Sequence, residues 1–512
     1  MRTKYASRNA VTSILLSTSA ILVGFIAQRI FVNTLGTEYL GINGLLTNIV
    51  SMLALAELGL GSAIYYHLYK PLADKDHERT KSLINFYKSG YRYVALAVLG
   101  MSLAIVPLLG KIVGPVSISE NIYIIYALFV ADIICSYLLT YKRSVLYADQ
   151  KNYIISLVHH AYFVIMNILQ IGILLRTKNF YLYLIIKVVM RLIENIALTY
   201  ITDQLYPYLK QRKFEQLDDD TKKDIFKKVR GLSFHKIAGY VVKGTDNIII
   251  AMFFGVQTVG LYTSYFMVTN AIGAIMDQAY NSLTSSVGNL LIDNEHAKSY
   301  SVYKKAQFIT FWLSCLISVS FLVTMNSFIS VWIGSRYLLN TGVLLTISLN
   351  LYYTLMRENI SSFKEAAGIF HEDRHIPVIE AVCNVLFAVV FAHFFGLAGV
   401  FLGTVGSTLI LHLYSYPKYV YKPLFKQGYK SYYLDFIAQT LITFGIAGVT
   451  YGLSRAFING SNIISLILNV GLCLLVPNVI LFALYRKSDE QKYFIGMMGS
   501  MVAKAKMRLI KK

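Results

Sequence analysis

The stretch LGTEYLG, residues 35–41, interrupts two long apolar runs, and FGVQTVG, residues 254–260, interrupts two more. Both read apolar, Gly, three variable residues, apolar, Gly, at an offset of 219 residues. A short glycine-bounded loop is a weak signal by itself. Two of them in matched surroundings predict an internal duplication, with each loop joining the first and second helices of its half.

The surroundings are membrane spans. Of the 512 residues, 56% are hydrophobic and 15% charged, where a soluble domain has about 25% charged. A span needs about 20 apolar residues. By that criterion fourteen helices are predicted, at 10–33, 40–68, 84–109, 121–141, 153–175, 180–203, 236–254, 260–290, 306–333, 339–361, 376–395, 398–417, 434–454 and 463–485. The first reads as a retained span rather than a cleavable signal peptide, because its apolar run is too long and no small-x-small site follows. The fold class is therefore an all-α polytopic membrane protein: two parallel-repeat six-helix lobes around a central cavity, plus two C-terminal helices. The expected lobes are 1–203 and 236–420, joined by an amphipathic cytoplasmic linker at 204–235. Residues 421–485 carry the last two spans, and 486–512 form a basic tail.

The net charge of +21 would suggest nucleic acid as a partner in a soluble protein. Here 36 of the 48 lysines and arginines, counting Lys236 at a span edge, fall in alternate loops and tails. The opposite loops hold five: Lys111, Arg176, Lys178, Arg336 and Arg455. The positive-inside rule then places both termini in the cytoplasm of a plasma-membrane protein, with membrane lipids rather than nucleic acid as the partner. In the linker, Ile225, Val229 and Leu232 share one face among basic neighbours, as in a helix lying on anionic lipid.

Ionisable groups at membrane depth are costly and point to partners or to a watery cavity. The first two helices of each half carry them. Arg29 is in the first span and Glu57 in the second. Lys243, Asp246 and Asn247 are in the seventh, and Asn270 and Asp277 in the eighth. Glu57 and Asp277 lie one position apart under the 219 offset. Lys187, Arg191 and Glu194 share a face of the sixth span, and Arg357 and Glu358 stand near the inner end of the tenth. These read as internal salt bridges between packed helices or as snorkelling side chains, so Lys187, Arg191 and Arg357 are secondary candidates for a cavity role. His159, His160, His393 and His412 read as helix-packing hydrogen bonders. Cys135, Cys315, Cys383 and Cys473 are solitary, without ligand spacing, so no metal is expected. No GxxxxGK[ST] or HExxH is present, and no hydrolase constellation assembles, so the chain reads as neither an ATP-driven pump nor an enzyme.

Four segments carry a family resemblance. They are NTLGTEYLGINGLLTNIVSMLALAELGLGSAIYYHLYKPLA at 33–73, TYKRSVLYADQKNYIIS at 140–156, GTDNIIIAMFFGVQTVGLYTSY at 244–265 and EAAGIFHEDRHIPVIEAVCNVLFAVVFAHFFGLAGVFLGT at 365–404. Together they resemble the Wzx-type oligosaccharide flippases of the multidrug/oligosaccharidyl-lipid/polysaccharide exporter superfamily, in particular those of Gram-positive capsule and exopolysaccharide clusters. The resemblance implies transfer of an undecaprenyl-pyrophosphate-linked glycan to the outer leaflet by alternating access. It implies no cofactor, with a polymerase and glycosyltransferases of the same pathway as partners. It further implies that Arg29 and Lys243 meet the pyrophosphate, and that Glu57, Asp246 and Asp277 couple transport to an ion gradient. A lipid II flippase and a multidrug or small-solute antiporter of the same superfamily are the alternatives. A non-transporting scaffold would have no use for charges at mid-membrane.

Overall fold

The computed structural model describes residues 2–57, 60–211, 215–292, 295–458, 460 and 462–510, with side chains described at these positions except 2–15, 17, 18, 55, 56, 62, 228, 230–243, 498 and 501–510. Helix dominates the described residues and no strand occurs among them. The first compact unit, Met1–Thr263, contains α1 (Arg2–Leu35), α2 (Thr37–Leu53), α3 (Leu60–Ala73), α4 (His77–Val113), α5 (Ile122–Tyr137), α6 (Thr140–Ala148), α7 (Asn152–Thr177), α8 (Phe180–Leu205) and α9 (Asp219–Phe254). Helix α10 (Val256–Ile292) begins in it. The second unit, Ser264–Lys512, holds the rest of α10 and α11 (His296–Trp332), α12 (Thr341–Met356), α13 (Glu358–Ala366), α14 (Ile376–Phe395) and α15 (Leu397–Ile410). A π-helical stretch, Leu411–Tyr421, leads to α16 (Lys422–Phe425), α17 (Tyr429–Phe457), α18 (Ile463–Tyr485) and α19 (Asp489–Ile510).

The duplication is written in the helix boundaries. Helices α1 and α9 end at Leu35 and Phe254, and α2 and α10 begin at Thr37 and Val256, each pair 219 apart. Helices α4 and α11 are both 37 residues long, α5 and α12 both 16, again at the same offset. The signals that set these boundaries repeat too. Gly36 (φ 95°) and Gly255 (φ 79°) adopt the left-handed backbone that favours glycine, and stop α1 and α9. Their amides donate to the repeat-related carbonyls of Val32 (2.9 Å) and Ala251 (3.0 Å). Asn121 and Asn340 cap α5 and α12 by accepting from the amides of Tyr123 (2.9 Å) and Gly342 (2.7 Å).

The paired loops also touch. A Cβ on Gly41 would stand 1.9 Å from the Val256 carbonyl oxygen, and one on Gly260 would stand 2.0 Å from that of Thr37. Adding 219 to Gly41 and Thr37 gives Gly260 and Val256, so the contact is reciprocal, as around a two-fold axis. Gly44 faces Thr263, its own counterpart, with the Thr263 Oγ1 2.6 Å from a Cβ built there. Side chains anchor the first loop as well. Glu38 accepts from the Ser117 amide at 2.6 Å, and the Tyr39 hydroxyl donates to Glu120.

All fourteen expected spans fall on helices. Among the described residues, eight helices are long and apolar enough to cross a membrane, and the bent pair α5–α6 makes a ninth. The others differ for local reasons. The second span is broken into α2, a 3-10 turn at Ala54–Glu57, and α3. The tenth is split at Arg357 into α12 and α13. Helix α8 carries Lys187, Arg191 and Glu194 on its apolar run. The separate linker helix expected before the seventh span is corrected: α9 runs unbroken from Asp219 to Phe254. Asp218 caps it, accepting from the Thr221 amide at 2.9 Å and from the Thr221 hydroxyl, and these bonds hold its carboxyl below the usual range. Repeat symmetry also has a limit, since α10 runs straight through the level at which α2–α3 breaks.

Within the second unit the last two spans pack on α11. Trp312 donates to Asn478 at 2.7 Å, and Lys304 pairs with Asp435 at 2.7 Å. Phe311, Cys315, Tyr352, Phe436 and Cys473 share one buried cluster there.

Candidate transport site

In the first unit, the site grows from a helix break. Helix α5 ends at Tyr137, Leu138 is extended, Leu139 takes a left-handed φ of 66°, and α6 leaves at a 46° bend. A break at membrane depth frees backbone carbonyls, which need donors because lipid offers none. Asn195 of α8 supplies one, donating to the Cys135 carbonyl at 2.6 Å. Its amide oxygen accepts from Arg143 at 2.9 Å, and Arg143 also donates to Thr140 Oγ1 at 3.0 Å. This side-chain clasp holds the bend together with short-range backbone bonds, from the Leu138 amide to the Cys135 carbonyl and from the Lys142 amide to the Leu139 carbonyl, each 3.2 Å.

Next to the clasp is a charge network. Lys187 and Arg191 of α8 reach Asp132 of α5, each at 3.3 Å. Arg191 also pairs with Glu194 at 3.0 Å, and His159 of α7 meets the other Glu194 oxygen at 2.8 Å. Phe129 lies under the Lys187 ammonium at 4.7 Å, and Tyr162 under the Arg191 guanidinium at 5.3 Å. Glu194 is almost wholly buried. The group thus forms salt bridges between packed helices, as expected: Arg191 bridges Glu194 of its own helix and Asp132 of α5, and Lys187 also reaches Asp132.

The second unit has its own buried pair at the α12–α13 break. Arg357 meets Glu380 of α14 at 3.5 Å. Glu358 follows Arg357 in the chain, and neighbouring residues on a helix point apart, so the salt bridge between packed helices expected for this group is made by Arg357 to α14. Asp277 lies on an exposed face of α10 within electrostatic range of Arg357.

The primary candidates are placed differently from one another. Glu57 ends the 3-10 turn and accepts from the Tyr91 hydroxyl at 3.1 Å. Asp246 and Asn247 are buried on α9, and the Asn247 amide oxygen has no hydrogen-bond partner among the described residues. Asn270 is exposed on α10. The Lys243 side chain lies outside the described residues. Arg29 is exposed on α1 and makes no hydrogen bond or ion pair to a described residue. It stands seven residues before Gly36, about 10 Å of helix from the loop. Sequence reasoning missed Asp132, Arg143, Asn195 and Tyr91. Asp132 was detectable as the lone acid in the apolar run ALFVADIICSY. The clasp residues were not, since their role depends on a backbone break.

No family model matches the chain, and no curated protein matches it by sequence. Solved structures do match. The lipid II flippase MurJ in an inward closed conformation superposes with a TM-score of 0.68 at 14% identity, covering 93% of this chain and 99% of that one. An inward-facing multidrug resistance MATE family transporter of the MOP superfamily gives 0.62 at 17% identity, over 78% of this chain and 95% of that one. A MOP superfamily transporter from Pyrococcus furiosus, described as having a binding pocket of reversed polarity, gives 0.52 at 16% identity, over 80% and 92%. With its duplicated helix pattern and 78–93% of its length superposed on MATE and MurJ, the chain has the fold of the MOP superfamily transporters represented by those two.

Proposed function

We propose that the protein is a flippase that moves an undecaprenyl-pyrophosphate-linked oligosaccharide from the cytoplasmic to the outer leaflet of the plasma membrane by alternating access, for capsule, exopolysaccharide or teichoic acid synthesis. The observation that carries this reading is the contrast among its membrane-level cations. Lys187, Arg191 and Arg357 are neutralised by carboxylates of their own units. Arg29 is not. An isolated guanidinium at that depth costs several kcal/mol unless water or an anion meets it. A pyrophosphate is such an anion, and a planar guanidinium suits its oxygens. Few free cations are expected, because the site has to release the anion as well as bind it.

In this reading Arg29 and Lys243 contact the pyrophosphate. Glu57, Asp246 and Asp277 carry the coupling ion, with Asn247 and Asn270 as polar lining. The paired Lys187, Arg191 and Arg357 hold helices in place rather than meeting substrate. The protein performs no covalent chemistry and needs no cofactor, and a polymerase and glycosyltransferases of the pathway are its partners. The termini are cytoplasmic, and the transporting lobes are 1–203 and 236–420.

A second reading, lipid II transfer, is favoured by the likeness to MurJ over nearly the full chain. Both substrates carry a polyprenyl pyrophosphate, so Arg29 serves either. Depletion separates them. Lipid-linked repeat units accumulating on the inner leaflet support the first reading, and accumulated lipid II supports the second. An unchanged distribution of both, with impaired drug efflux, refutes the flippase and favours an antiporter.

A further inference from the structure

Helices α4 and α11 are repeat-related, yet their surroundings differ. In the second unit, α17 lies against α11, and Phe311 and Cys315 are fully buried with Phe436 in one cluster. The corresponding α4 positions are Arg92 and Leu96, and both are exposed. A cleft of about 610 Å³ opens at this place, between α4, the α5–α6 break and α8. No helix among the described residues fills it. An adjoining polar cleft of about 600 Å³ shares Lys88 and Tyr141 with it. The two form a groove, polar at one end and apolar at the other, of the size of a ligand site.

The chemistry of the groove specifies what fills it. Its polar end holds several lysines, but Lys81 is satisfied by Glu78 and Gln211, and Lys142 by Asp203. Among the described residues Lys88 meets the Tyr141 ring alone, at 5.9 Å, and Arg92 makes no hydrogen bond or ion pair. Counting from residue 84, where the span begins, Lys88 and Arg92 lie about 6 Å and 12 Å into the membrane at helical rise. That is the level of lipid phosphates and the first acyl carbons. Deeper still, Leu96, Leu138 and Ile196 offer an apolar wall with exposures of 62%, 46% and 59%. In the second unit the equivalent place receives an aromatic ring from Phe436 and a carboxylate from Asp435 of the chain itself. There the ring and the carboxylate from α17 line a cavity of only about 120 Å³, against about 610 Å³ in the first unit, where no described helix takes that place.

We propose that this groove binds an anionic phospholipid of the leaflet at the α4 N-terminal end, with Lys88 and Arg92 on its phosphate and its acyl chain along Leu96, Leu138 and Ile196. The leaflet is the cytoplasmic one on the positive-inside reading. The lipid substitutes in the first unit for what α17 provides in the second. A bilayer component bound at the α5–α6 bend also stands beside the Arg143–Asn195 clasp, since Asn195 lines the same cleft.

The test is native mass spectrometry of the full-length protein, titrated with phosphatidylglycerol and separately with phosphatidylcholine. Each juxtamembrane cation contributes about a fivefold gain in affinity for an anionic surface. Phosphatidylglycerol binding should fall about fivefold in Arg92→Gln and about thirtyfold in Lys88→Gln/Arg92→Gln. Phosphatidylcholine binding should stay weak in all forms, and inorganic phosphate at millimolar concentration should not compete. Wild-type affinity in the double variant, equal binding of the two lipids, or displacement by free phosphate would each overturn the proposal. Arg92 is surface-exposed, so the single variant reports even where the double variant fails to insert.

Discussion

Placing a methyl group on Gly41 tests the duplicated fold at its tightest point. The new Cβ would lie 1.9 Å from the Val256 carbonyl oxygen, and ordinary contact there is 3.4 Å or more, so α2 and α10 have to part by about 1.5 Å. The obstacle is backbone, so no rotamer change relieves it. Overpacking of this kind costs about 1–3 kcal/mol, and the upper end is expected here. Alanine's helix propensity returns at most about 1 kcal/mol. Gly260→Ala makes the reciprocal clash, at 2.0 Å from the Thr37 carbonyl, so its effect should match. Once either substitution has spread the crossing, the other meets less resistance, and the double variant should cost less than the sum. Gly100→Ala and Gly172→Ala, inside α4 and α7, have no atom within 4 Å of the new methyl and serve as clash-free controls that show the propensity gain alone, at most about 1 kcal/mol. Thermal unfolding of the purified protein, followed by loss of the monodisperse peak on size exclusion, measures all five. Wild-type melting in both Gly41→Ala and Gly260→Ala, or a shift in only one, would refute the reciprocal contact.

Other perturbations separate structural charges from working ones. Arg29→Ala should abolish transport while leaving melting unchanged, and Arg29→Lys should retain part of the rate; a cold-shifted melt with intact transport would reverse that assignment. Arg191→Ala leaves Asp132 to Lys187 alone and Glu194 to His159 alone, and should cost about 2 kcal/mol in unfolding assays, the worth of lost charge-assisted hydrogen bonds rather than of a stranded charge. Asn195→Leu removes the donor to the Cys135 carbonyl at the α5–α6 bend; hydrogen exchange around residues 135–143 should accelerate, with little change in α14–α15. In that hairpin, Gly403→Ala places a Cβ 2.3 Å from the Ala388 amide nitrogen, and lowered melting with the bend's exchange rates unaltered is expected.

Much of this was readable from residue order. The apolar runs and glycine-bounded loops predict the helices and their duplication because span length and loop chemistry are local properties. The same is true of the cap residues Asn121 and Asn340, which act on amides two residues away. Partner choice was not readable. Lys187 joins Asp132, and Arg357 joins Glu380, because of how α5 and α14 pass their neighbours. Periodicity along one helix contains no such information. The breaks at Leu139 and at Ala54–Glu57 escaped for a related reason. Neither carries proline, and the apolar run continues through both, so hydropathy sees one span where the backbone makes two segments. Arg29 stood out at once as a charge in a span, but what distinguishes it from Arg191 is that it has no partner among the described residues.

The central claim concerns the direction and identity of what is moved, and reconstitution addresses it most directly. Purified protein in liposomes containing a fluorescent undecaprenyl-pyrophosphate oligosaccharide should bring the glycan from one leaflet to the other, as read by quenching with a membrane-impermeant reagent. The account predicts transfer by the wild type, loss of transfer in Arg29→Ala at equal protein content, and inhibition by undecaprenyl pyrophosphate lacking the sugar. Glycan that stays in its original leaflet under an imposed ion gradient, or transfer that is indifferent to Arg29, would contradict it.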